Sequence, residues 1–303
     1  MACIGLKVDV DTLRGTREGV PRLLRLFERE NVQATFLFSL GPDHTGWALR
    51  RVLRPGFLSK VSRTSVLHHY GLRTLLYGVV LPAPDIGREG AEAIRLTHRA
   101  GHEGGLHAWD HVLWQDEVRR RDPAWTRHQM QQGFDRYVEI VGEPPATHGA
   151  AGWQMNAAAL RQIDVWGMPY ASDGRGSQAH IPVVEGRSLA HVQLPTTLPT
   201  LDELIGRDGI DAGNVAERLL ASTASDADQV YTLHAELEGG AFAPAFAELL
   251  RGWRAQGHRL GPLRALHAQL DRDALPHLDA DWGRVDGRSG EVVVARERTR
   301  ACG

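Results

Sequence analysis

Cysteine is nearly absent: of 303 residues, only Cys3 and Cys302 carry a thiol. Two cysteines near opposite ends cannot build a disulfide framework, so a stapled scaffold is excluded and a reducing compartment is expected. Long apolar runs are missing too, and none approaches the ~20 residues that a membrane-spanning helix needs. The N-terminus lacks the apolar stretch of a secretory signal and enters directly into the alternation of Ile4, Leu6 and Val8. A chain made and kept in the cytoplasm is therefore expected. Charge of one sign is not in excess either. Lys and Arg total 35 against 37 Asp and Glu, and the net charge of −2 argues against a nucleic-acid-binding surface.

What is present is an ordinary globular composition, 42% hydrophobic and 24% charged, able to bury a large core. Strand-like and helix-like stretches alternate, the pattern of a mostly parallel sheet with helical crossovers. The first strand is expected over 4–10, and the spacing of Val20, Leu23, Leu24 and Phe27 predicts a helix within 16–30. A second strand follows over 33–39, then a helix over 90–100 and a short strand over 102–106. A longer helix over 126–141 is stopped by Gly142 and the Pro144-Pro145 pair. Further strands are expected at 169–172, 191–194 and 229–234, with helices at 212–221 and 243–255. No internal repeat or low-complexity linker divides the chain, so one domain is expected over 1–270. From Asp271 to residue 303 a charged, loosely attached extension is expected, with one apolar run at 292–295.

One segment breaks the pattern. Between His44 and Pro84 there is no Asp or Glu, yet Arg50, Arg51, Arg54, Lys60, Arg63 and Arg73 lie there among Trp47, Leu53, Phe57, Leu72 and Tyr77. The plain reading of this 44–84 insertion is a helical element with its basic face in water. The functional reading is an interfacial patch whose apolar groups enter a lipid boundary while its arginines meet anionic headgroups or a lipid-linked phosphate.

The residues that could carry chemistry fall at strand ends, where α/β folds place their sites. Asp9 and Asp11 flank Val10, and strand alternation sends both carboxylates to one face. There they repel unless a cation or a proton is shared. One could hold a metal while the other serves as base; a solvated strand end is the alternative. His107 and His111 follow in HAWDH. If that stretch is helical, the two imidazoles share a face with Cβ atoms ~5–6 Å apart, close enough to hold zinc or a similar ion. With 15 histidines in the chain, a chance surface pair is the alternative. Asp11, His107 and His111 would make three ligands and leave a position for water. His234 closes a late strand, placed either to protonate a leaving amine or to sit in a core.

DVDT at 9–12, HAWDH at 107–111 and TLHAE at 232–236 resemble the motifs of the polysaccharide deacetylase (NodB-like) family, over residue 4 to about 270. The resemblance implies a distorted (β/α) barrel with a divalent metal, zinc or alternatively cobalt, manganese or nickel. It implies Asp9 as base, Asp11, His107 and His111 as metal ligands, and His234 as acid. Longer stretches, among them DVDTLRGTREGVPRLL, SDGRG, LPTTLPTLDELIGRD and YTLHAELEGG, are similar to a branch of that family that removes formate from a formamido sugar on an undecaprenyl-phosphate carrier. That implies a linear-amide hydrolase, a lipid-linked sugar substrate, a part in lipid A modification and polymyxin resistance, and a place at the cytoplasmic face of the inner membrane. A deacetylase of peptidoglycan or another glycan is the alternative within this class; a non-catalytic lipid-phosphate-binding protein is the alternative outside it. One departure is visible. Many family members carry an arginine in a third motif that orients the base, whereas this chain reads HGAAG at 148–152. Arg175, in SDGRG, is expected to take that place and Asp173 to orient His234, with a tight polar turn as the alternative for both.

Overall fold

The computed structural model describes residues 2–48, 72–223 and 227–297. Strand β1 (Cys3–Val10) is buried along its whole length. Its alternation therefore does not separate core from water. Ile4, Leu6, Val8 and Val10 pack under helices in the main hydrophobic cluster, and the other set, Gly5, Lys7 and Asp9, points to the opposite side, which is also buried. β2 (Thr35–Ser39) runs parallel to β1 with Thr35 opposite Lys7 and Leu37 opposite Asp9. β3 (Glu103–Ala108) runs parallel to β2.

Beyond β3 the staves shorten to single bridges and two-residue strands, but the hydrogen bonds continue. Leu106 N donates to Thr147 O, Gly149 N to Leu106 O, and Ser172 N to His148 O. β4 (Tyr170–Ala171) is followed by β5 (Ile181–Val184) and β6 (Arg187–Ser188), and β4 pairs with β7 (Val192–Gln193). Thr197 N and Leu198 N then donate to Val230 O in β8 (Gln229–His234), which lies parallel to β1 with His234 opposite Asp9. The circuit returns to its start. The fold is the distorted (β/α) barrel expected from the sequence, and Lys7 and Asp9 of β1, with Thr35, Leu37 and His234 opposite them, face its interior. β9 (Arg259–Gly261) adds to the first residues of β1.

Helices cover the outside: α1 (Val20–Arg29), α2 (Ile86–Arg99), α3 (His111–Glu117), α4 (Pro123–Val141), α5 (Ala157–Val165), α6 (Val215–Ser222) and α7 (Ala243–Ala255). Their ends follow local chemistry. Asp122 caps α4 by accepting from Ala124 N and Trp125 N, Pro123 takes the first position, and Gly142 ends the helix at φ 88°. α3 and α5 are short and escape a reading based on periodicity alone.

One expectation needs revision. The region from Asp271 is not loosely attached. β10 (His277–Gly283) and β11 (Val292–Arg296) form an antiparallel hairpin, and β10 joins β5 to make a four-stranded sheet, β11-β10-β5-β6. Leu278, Ala280 and Trp282 alternate with charged residues, so a count of charge hid a period of two. Of the 44–84 insertion, residues 49–71 lie outside the described residues; Leu72–Leu76 is a short helical turn.

Candidate active site

Asp11 follows β1, His107 lies near the end of β3, and His111 is the first residue of α3. The side chains converge. Asp11 Oδ1 lies 3.2 Å from His107 Nε2, and Asp11 Oδ2 lies 3.5 Å from His111 Nε2. One ligand atom from each residue lies within 4.8 Å of the others. The histidines do not share a helical face. A strand-to-helix turn, closed by Asp110 as N-cap of α3 through Leu113 N, brings their rings to 5.3 Å. Asp110 is itself paired with His44 Nδ1 at 2.5 Å.

The donor set fits a cation. His107 Nδ1 lies 2.6 Å from the Gly149 carbonyl, which can only accept, so Nδ1 donates there and Nε2 is the nitrogen turned towards Asp11. Metal-ligating histidines commonly donate their other ring nitrogen to a backbone carbonyl in this way. Buried oxygens of Asp9 (Oδ1), Asp11 (Oδ1) and Glu236 (Oε2), together with His234 Nδ1, make no hydrogen bond among the described residues. Burial would raise the Asp11 carboxyl, but His111, His107 and His234 outweigh it and hold it well below the usual carboxylate range. The residues present suit a divalent metal.

Around this cluster stand three further groups. Asp9 is buried, with Oδ2 3.4 Å from Lys7 Nζ and Oδ1 3.9 Å from His107 Nδ1. His234 is largely buried, its Nδ1 3.8 Å from Asp202 Oδ1. Burial opposes its charge, yet the carboxylates of Asp202, Asp11, Asp9 and Glu238 prevail and push it up to about 9. Glu236 ties the end of β1 to the turn after β8: its Oε1 accepts from Asp11 N, Thr12 N and Thr12 Oγ1 at 3.1, 2.9 and 2.8 Å. Burial, and then Asp11, push the Glu236 carboxyl up to about 8.

The two orienting residues read from SDGRG lie elsewhere. Arg175 pairs with Glu203 at 2.6 Å and donates to Leu198 O at 3.3 Å, over the Trp153 ring. It does not reach Asp9, because its backbone is bound to Val293 O and its side chain follows the loop towards Glu203. Asp173 is fully buried against His148 Nδ1 at 2.5 Å and Gln193 Nε2 at 2.7 Å, so the carboxylate beside His234 is that of Asp202. Lys7, Asp202 and Glu236 were not singled out by their sequence context. For Lys7 the signal was available: in KVDVD it stands two residues before Asp9, on the same side of the strand.

No protein-family model matches the chain. Over 294 residues it is 38% identical to the probable 4-deoxy-4-formamido-L-arabinose-phosphoundecaprenol deformylase ArnD of Shewanella sediminis (strain HAW-EB3), covering 95% of this chain and 92% of that protein. To the protein of the same description in Wigglesworthia glossinidia brevipalpis it is 33% identical over 285 residues, covering 93% of this chain and 99% of the other. Among solved structures, the probable polysaccharide deacetylase from Pseudomonas aeruginosa PAO1 shares the fold with a TM-score of 0.57 at 16% identity, over 88% of this chain and 90% of that one.

Proposed function

This chain belongs to the family of 4-deoxy-4-formamido-L-arabinose-phosphoundecaprenol deformylases, within the polysaccharide deacetylases, and from that premise we propose how its own side chains act. It is a hydrolase of a linear amide C–N bond that converts the lipid-linked formamido sugar to the 4-amino sugar and formate, as in the lipid A modification behind polymyxin resistance. The supporting observation is the convergence of Asp11, His107 and His111 within 4.8 Å beside Asp9 and His234. Asp11, His107 and His111 would hold the ion, and two imidazoles with one carboxylate suit zinc, with cobalt, manganese and nickel as close substitutes. When bound, such a cation polarises the formyl oxygen and lowers the pKa of an adjacent water towards ~7. Asp9, whose Oδ1 makes no hydrogen bond among the described residues, takes the proton of the attacking water. His234 delivers a proton to the departing sugar nitrogen, without which an amine is a poor leaving group. Deformylation is tested by offering formylated and acetylated lipid-linked sugars to the purified protein and assaying both acids. Formate release is expected; acetate released faster than formate would move the assignment to a deacetylase.

The substrate's undecaprenyl phosphate calls for a surface that tolerates lipid and attracts phosphate. Among the described residues no helix is long and apolar enough to cross a membrane. The acid-free 44–84 segment supplies six basic residues, and at its described edge Val79 and Val80 are exposed. We assign this segment to contact with the anionic membrane face. Flotation with vesicles containing anionic lipid checks it: protein left at the bottom of the gradient would count against the assignment.

A further inference from the structure

Lys7 sits in the middle of β1, fully buried, inside the barrel. Its ammonium donates to Ser172 O at 3.1 Å, lies 3.4 Å from Asp9 Oδ2 and stands 5.5 Å from the centroid of the Trp153 ring. A buried ammonium persists only where a counter-charge and hydrogen bonds meet it. Asp9 is the one ion-pair partner it has among the described residues.

The surrounding backbone is shaped around this lysine. A Cβ on Gly149 would come within 2.9 Å of Lys7 Cε and 2.2 Å of Leu37 Cδ1. The HGAAG segment therefore has no room for a side chain at 149, and the interior beside Asp9 is filled from β1 instead. The two oxygens of Asp9 are thereby distinguished. Oδ2 is held against Lys7, while Oδ1 makes no hydrogen bond among the described residues.

We infer that Lys7 is the positioning residue for Asp9: entering from β1, it anchors one carboxylate oxygen and leaves the other to accept the proton of the attacking water. It takes the place left by the arginine missing from the third motif, a place that Arg175, paired with Glu203, does not fill.

The inference rests on the deformylase reading and on Asp9 as base, and the experiment separates the two. Full-length, zinc-loaded protein is assayed for formate release from the formamido-sugar undecaprenyl phosphate, beside Lys7→Met and Lys7→Arg, and zinc binding by each apoprotein is titrated calorimetrically. Lys7→Met is expected to lower kcat on the order of a hundredfold through a misplaced base, with KM and zinc stoichiometry near wild type. Lys7→Arg, which keeps the charge, is expected to restore most of kcat. No formate from the wild type would overturn both the reading and the inference. Unchanged kcat in Lys7→Met, or zinc binding lost in step with kcat, would overturn the inference alone. Should Lys7→Met not fold by circular dichroism, Lys7→Gln, which keeps a donor for Ser172 O and drops only the charge, is judged by the same criteria.

Discussion

The hydrogen bond between His107 Nδ1 and the Gly149 carbonyl decides which nitrogen faces Asp11. One backbone acceptor 42 residues away in sequence thus orients the ring, and with it the nitrogen offered to the cluster. The two aspartates of DVD part company for an equally local reason, since Asp9 meets Lys7 and Asp11 meets two imidazoles. Their variants should differ accordingly. Asp9→Asn is expected to keep zinc binding while turnover falls by ~10²–10⁴-fold, the usual contribution of a general base. Asp11→Ala is expected to lose zinc binding together with turnover. Calorimetric zinc titration beside a formate assay distinguishes them, and near-normal turnover in Asp9→Asn would remove it as base. His234→Gln, which can neither carry nor pass on the proton, should lower kcat over the same range without loss of the metal.

The entry into α1 shows what an element contributes. Residues Gly15–Gly19 form a π-turn that runs into the helix, and they dock against the backbone that follows His234. A Cβ on Gly15 would come within 2.0 Å of Glu236 Oε1, and one on Gly19 within 2.1 Å of Ala235 O. Glu236 in turn holds Asp11 N and Thr12 N, so the turns after β1 and β8 and the start of the helix form one rigid piece. Gly19→Ala must push the helix off that turn. A loss of about 1–3 kcal/mol, as for other overpacked sites, is expected with a parallel fall in kcat. Urea denaturation checks the first part; an unchanged midpoint would show that the contact yields. A helix pattern was legible in the spacing from Val20 to Phe27, whereas a π-turn depends on what the helix meets and leaves no periodic trace.

At the scale of the whole molecule the barrel depends on its last strands. Val293 O accepts from Arg175 N, and Val292 and Val293 are buried. A chain cut after residue 276 should therefore lose cooperative thermal unfolding or melt well below the full-length protein, and an unchanged Tm would restore the picture of a detachable extension beyond residue 270. His102 and His180 also weaken the fold in mild acid, while Glu236 and Glu238, whose buried carboxyls are pushed up to about 8 and about 7, act in the opposite sense. His102 lies between Phe27 and Phe36 with Nδ1 accepting from Ala34 N, and burial pushes it down to about 4. His180, also buried, is pushed down to about 4. An unfolded histidine titrates near ~6.5, so between that pH and 4 the unfolded state binds more protons and stability rises with pH. Their contribution is complete above ~6.5 and is lost as pH falls through the folded values. From pH 7 to 4.5 the urea midpoint of His102→Gln should lose less, or gain more, than that of the wild type. Parallel profiles for the two proteins would show that His102 is not held neutral.

The sequence by itself determined the alternation of strands and helices, the family, and which acidic and histidine side chains to examine at the strand ends. These are written in local periodicity and in short contiguous motifs. It did not determine the partners of those residues. Arg175 goes to Glu203, Asp173 to His148, and Lys7 to Asp9. It also left open that a charged C-terminal region would join the sheet of β5. Only the tertiary structure decided these matters, because a buried charge takes whichever counter-charge the closing of the barrel carries within reach. Strand register sets that reach, and no short stretch of sequence contains it.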